Sequence, residues 1–166
     1  MDFIQHTVNW CKGEIFEGQM FALFGLLVAI IAGLYWKYGH TPFSKAMVIP
    51  FLVVGLLCIV GGVSLVYNNY QRIESFQEQY TADQEGFIES EKLRVDGFMK
   101  WYPYTLFSMA GIIVIALILF LFLSSAHWKA IGLGLVLLSF SVIFLDHFSE
   151  ERAKTYYHEI MAAREA

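Results

Sequence analysis

Five histidines, His6, His40, His127, His147 and His158, are the side chains of this 166-residue sequence best suited to hold a metal or move a proton. Neither role finds its partners. A di-metal centre in a helical bundle draws on Glu-x-x-His pairs, which put both ligands on one helix face. Phe144 stands three residues before His147 and Thr155 three before His158, so no such pair forms. The two cysteines, Cys11 and Cys58, lie in different regions and make no C-x-x-C or metal-type cluster. No Gly-rich phosphate loop, no Ser or Cys nucleophile beside a base and no paired-carboxylate signature is present. The sequence therefore points to a non-enzymatic protein and implies neither cofactor nor metal.

Two charged groupings near the C-terminus remain. Arg152 and His158 stand at Arg-x5-His spacing, which a solvated helix face explains. Asp146-His147 and Glu150-Glu151-Arg152 fall just after an apolar block, where charges anchor a helix end or make i, i+4 pairs. A contact with lipid headgroups is the functional alternative there.

The elements that must position these residues follow from composition. At 57% hydrophobic, 17% aromatic and 16% charged, the chain is far more apolar than a soluble domain. The apolar residues fall in four blocks, 20–36, 47–67, 106–123 and 130–145, all free of Asp, Glu, Lys, Arg and His. Each approaches the roughly 20 residues that cross a hydrocarbon core about 30 Å thick. Four membrane-spanning helices are expected. A cleaved signal is not, because residues 1–19 are mixed and polar.

The polar segments continue the helices. Ile4, Val8, Cys11 and Ile15 recur at i, i+4, i+7 and i+11, and no Pro separates them from the first span. Gly39 is the expected stop, and Thr41-Pro42 reads as an N-cap with Pro at N1. Pro50 is placed to bend the second span and Pro103 to mark the start of the third. Between them lies the insert 67–101, where Tyr70, Ile73, Phe76 and Tyr80 keep helical spacing. Thr81 with Gln84 has the form of a capping box, which predicts a reversal near residues 80–83. Ser124 or Ser125 is positioned to cap the last helix.

The expected fold is an all-α membrane protein, one domain over residues 1–166. Its four transmembrane helices form an antiparallel up-down bundle and extend beyond the bilayer on one side. Residues 1–19, 68–101 and 146–166 would make the exposed helical half, projecting rather than lying flat on the surface.

All fifteen acidic residues fall on the side of that exposed half. Eight basic residues join them there: Lys12, Arg72, Lys92, Arg94, Lys100, Arg152, Lys154 and Arg164. Lys37, Lys45 and Lys129 are the basic residues of the other side. By the excess of Lys and Arg, both termini are expected in the cytoplasm. A net charge of −4 removes any case for nucleic-acid binding through a basic face.

Small residues supply the interface candidates. Gly25, Ala29 and Gly33 form a small-xxx-small ladder in the first span, and Ala130 and Gly134 repeat it in the fourth. Such ladders let helix backbones approach, either within the bundle or between copies in a homo-oligomer. In the exposed half, Arg72, Glu74, Glu78, Glu89, Glu91 and Arg94 are the candidate surface for a protein partner. No span holds an ionisable residue, which argues against an ion-coupled transporter. The leading expectation is a multi-pass protein whose exposed half binds a partner or itself. The alternative is a small oligomeric pore or membrane-permeabilising effector.

Overall fold

The computed structural model describes residues 2–165, so the domain ends expected at 1 and 166 lie outside the described residues. Helix α1 covers Phe3–Tyr38, α2 Pro42–Ala82, α3 Gln84–Met99, α4 Trp101–Phe122 and α5 Ala126–Glu165. Lys100 between α3 and α4 keeps helical dihedrals (φ −63°, ψ −21°), so the two follow one another almost without interruption. Counted that way there are four long helices of 36, 41, 39 and 40 residues, each apolar enough to cross a membrane. A helix of 40 residues is about 60 Å long, roughly twice a hydrocarbon core.

Local chemistry sets the turns. The Thr41 hydroxyl accepts the Ser44 N–H at 3.1 Å, while the Ser44 hydroxyl oxygen accepts the Thr41 N–H at 3.1 Å. With Pro42 at the first helical position, this reciprocal cap opens α2. Gly39 ends α1 differently from expectation: its φ is −69°, outside the left-handed region, and its N–H donates to the Tyr35 carbonyl at 2.9 Å. A side chain there would collide with that carbonyl and with Ser44. The cap of the long hairpin is also corrected. Thr81 donates its hydroxyl to the Gln77 carbonyl, whereas Asp83 closes α2 and opens α3, its carboxylate accepting the Gly86 N–H at 3.0 Å. A carboxylate at the N-cap is favoured by the unpaired N–H groups and by the helix dipole. Helix α2 runs unbroken through Pro50. Pro103 falls in the first turn of α4, where proline is tolerated.

Helices α1 and α2 pack antiparallel along their whole length, from Asp2 beside Tyr80 to Trp36 beside Lys45. Helix α5 runs antiparallel to α1 and parallel to α2, passing over Pro50 and Cys58 of α2 and then over Glu14 and Thr7 of α1. Helix α4 packs on α5, and among the described residues its backbone does not approach that of α1 or α2. Ala116 is its buried residue, facing Gly132 of α5.

Two cores result. In the polar half, Phe3, Trp10, Cys11, Phe76, Tyr80, Phe87, Val95, Tyr156 and Ile160 bring α1, α2, α3 and α5 together. In the apolar half, Val28, Ala32, Met47, Phe51, Val54, Cys58 and Ala130 join α1, α2 and α5. The terminal segments are thus packed continuations of α1 and α5 against the central hairpin.

Candidate functional site

The small residues singled out in the sequence lie at different places. Gly25 meets α2: a Cβ there would stand 2.6 Å from the Gly55 carbonyl oxygen and 2.8 Å from Cys58. Gly55 in turn faces Gly25 and Ala29, and Gly62 faces Gly18 and Ala22 in the same way. Gly33 has open space around it. Ala130 is buried in the apolar core, and Gly134 packs on the Pro50 ring.

The candidate partner surface separates into two groups. Arg72, Glu74 and Glu78 are exposed on α2, and Glu89 is exposed while pairing with Arg164 of α5 at 3.0 Å. Glu91 and Arg94 depart from expectation, because they belong to the interior. Glu91 is only 2% exposed and receives both arms of the Arg94 guanidinium, at 2.7 and 2.6 Å. Tyr156 of α5 donates to the second Glu91 oxygen at 2.7 Å, and its oxygen stands 2.8 Å from the Thr7 hydroxyl of α1. The Arg94 guanidinium lies over the Trp10 ring at 4.6 Å and within reach of Phe76 and Phe98. A buried charge persists only when paired and hydrogen-bonded, and here both conditions are met.

A second charged cluster sits where the polar half meets the apolar half. Arg152 of α5 donates to Glu14 at 2.8 Å and to Glu17 at 2.5 Å, both on α1. Ser149 donates to Glu14 at 2.9 Å and lies 3.0 Å from the Tyr102 hydroxyl of α4. The stem of Arg152 crosses Gly13, where any side chain would come within 2.7 Å of it. Burial raises the Glu17 carboxyl above its ordinary value, although Arg152 works against that rise. Asp146, beside Thr105, is raised by burial as well. One oxygen of Glu17, Oε2, is buried without a hydrogen-bond partner.

Below this cluster α1 and α5 leave a groove of about 710 Å³ between them. Phe16, Met20 and Phe24 form one wall and Phe140, Phe144 and Phe148 the other, with Glu17 and Arg152 at the polar end. Both walls are i, i+4 ladders of large apolar residues. That spacing was readable in the sequence, but which helix faces the ladders met across was not.

Three further groups of the polar half, Cys11, Tyr102 and Tyr156, are held neutral. Burial pushes the Cys11 thiol up to about 12 and the Tyr102 phenol up to about 12, and it raises Tyr156 with help from the Glu91 charge. Such groups stay protonated at neutral pH and serve as packing and hydrogen-bonding elements rather than nucleophiles. No protein-family model, curated protein or solved structure matches the chain. The functional reading therefore rests on geometry alone.

Proposed function

We propose that this chain is a non-enzymatic multi-pass membrane protein whose water-exposed helical half binds a protein partner or a second copy of itself. Four apolar helices are compatible with such a protein. In this reading the antiparallel helices cross the bilayer through their apolar halves and project on one side. Both termini lie on that side, placed in the cytoplasm by its eight basic residues.

The observation that carries the reading is the division of charge in the polar half. Its interior ions pair with one another, Glu91 with Arg94 and Glu14 and Glu17 with Arg152, whereas Arg72, Glu74 and Glu78 stand exposed on α2 with no ion-pair partner among the described residues. A packed core behind them, with Phe76 and Tyr80 buried, holds this charged face rigid. Rigid, exposed charge favours selective docking and fast encounter over internal stability.

The test is a triple charge reversal, Arg72→Glu, Glu74→Lys and Glu78→Lys, followed by native mass spectrometry and copurification in mild detergent. Association should fall about tenfold while far-UV circular dichroism stays unchanged. Undiminished association of the helical variant would overturn the reading. Leakage of ions from liposomes holding a ring-sized assembly would instead favour the pore.

A further inference from the structure

The groove between α1 and α5 is lined almost wholly by carbon and ends at a polar cluster. Along α5 it runs from Leu137 to Arg152, about 22 Å at 1.5 Å per residue. Its volume of about 710 Å³ falls within the size of small-molecule sites. An apolar trough with one charged end matches an amphiphile: hydrocarbon along the phenylalanines, headgroup at Glu17.

The charges at that end select the headgroup. The carboxylates of Glu14, Glu17 and Asp146 act on one another there, and Arg152 is the cation placed among them. Three carboxyl groups surround one guanidinium there, an arrangement that favours a cationic headgroup over an anionic one. Glu17 is 9% exposed, and its Oε2 lacks the hydrogen-bond donor that a buried carboxylate oxygen requires. Arg152 does not supply one: its terminal nitrogens donate to Oε1 of Glu17 and to Glu14, and its Nε, although buried without a partner, does not reach Oε2. A primary ammonium brings both a positive charge and N–H donors. A quaternary ammonium brings the charge without a donor.

We infer that the α1/α5 groove binds one hydrocarbon chain of an ethanolamine phospholipid, with its ammonium donating to Glu17. The inference rests on the reading of this chain as a membrane-spanning protein. It adds a lipid site, distinct from the exposed α2 face, to that reading.

Native mass spectrometry of the full chain, released from detergent with phosphatidylethanolamine, phosphatidylcholine or phosphatidylglycerol of identical chains, tests it. The ethanolamine lipid should form adducts at about tenfold lower concentration than the other two. Glu17→Gln should abolish that preference, leaving ethanolamine and choline lipids alike. Met20→Trp, which fills the trough beside an exposed position, should reduce all adducts while the chain stays helical. Equal binding of the three lipids to the unaltered chain would overturn the site. So would a retained preference in helical Glu17→Gln, or full adducts in Met20→Trp. Resistance to carbonate extraction separates the two failures: an inserted chain without adducts defeats the lipid site alone, and an extracted chain defeats the membrane reading.

Discussion

The same helices are joined by opposite means at their two ends. In the polar half, α1 meets its neighbours through bulk: Trp10 stacks on Tyr156 and on Phe98, and Phe3 stacks on Tyr156 and packs edgewise on Phe87. In the apolar half α1 and α2 come closest through glycine, Gly18 on Gly62 and Gly25 on Gly55, backbone against backbone, with Val28, Met47 and Phe51 filling the space beside them. On the proposed membrane reading, the difference follows from the surroundings of each half. Water drives large apolar side chains together and makes an incomplete buried ion pair costly. Hydrocarbon offers no such drive between helices, so close backbone approach supplies the attraction.

Breaking the polar half should have the larger effect. Glu91→Ala leaves Arg94 pressed on Trp10 without its carboxylate, and we expect a loss of about 3 kcal/mol, read by thermal or denaturant unfolding in detergent. The double variant Glu91→Leu with Arg94→Met should recover most of that loss. In the apolar half, Gly25→Leu forces α1 off the Gly55 carbonyl and should cost about 2 kcal/mol. Gly33→Leu, with open space around it, should stay within about 0.5 kcal/mol of the parent and serves as its control. Tyr156→Phe removes the hydroxyl that ties Glu91 to α5 and Thr7, for about 1.5 kcal/mol.

The smallest effect is silent at neutral pH. The Cys11 thiol ionises at 9.0 when free and at about 12 in the folded chain, so its contribution is complete below pH 9. Above pH 9 the unfolded thiol ionises first, and stability falls until the folded thiol ionises too, near pH 12. Cys11→Ala should flatten that part of a stability profile measured from pH 8 to 11. An unchanged profile would place the alkaline loss in the tyrosines.

Much of the fold was legible because its signals are local. The four blocks free of charge, the Thr41-Pro42 start and the unbroken pattern from Ile4 into the first span each depend on neighbours within a turn or two. What escaped was set by distant partners. Glu91 and Arg94 read as surface because charged residues surround them in sequence, and it is residues far along the chain, Tyr156 on Glu91 and Trp10 and Phe76 on Arg94, that enclose them. Thr81 and Asp83 are both N-cap residue types two positions apart, and the choice between them falls to the residue whose side chain reaches a free N–H. The groove needs α1 and α5 to diverge beyond Glu17 and Arg152. The spacing of each phenylalanine ladder gives its face but not its distance from the other.

One physical boundary divides the molecule, near Glu17 on α1 and Tyr67 on α2, where helix packing changes from glycine to aromatic. Cysteine labelling with a membrane-impermeant maleimide locates it directly. The background is Cys11→Ala with Cys58→Ala, both wild-type thiols being buried. Single replacements Val53→Cys, Val60→Cys, Arg72→Cys, Glu74→Cys and Glu78→Cys then walk along α2 in sealed vesicles of known orientation. Labelling is expected at 72, 74 and 78 from one face and none at 53 or 60, although Val53 and Val60 are surface residues of the chain itself. Labelling at 53 and 60 equal to that at 74 would contradict that boundary.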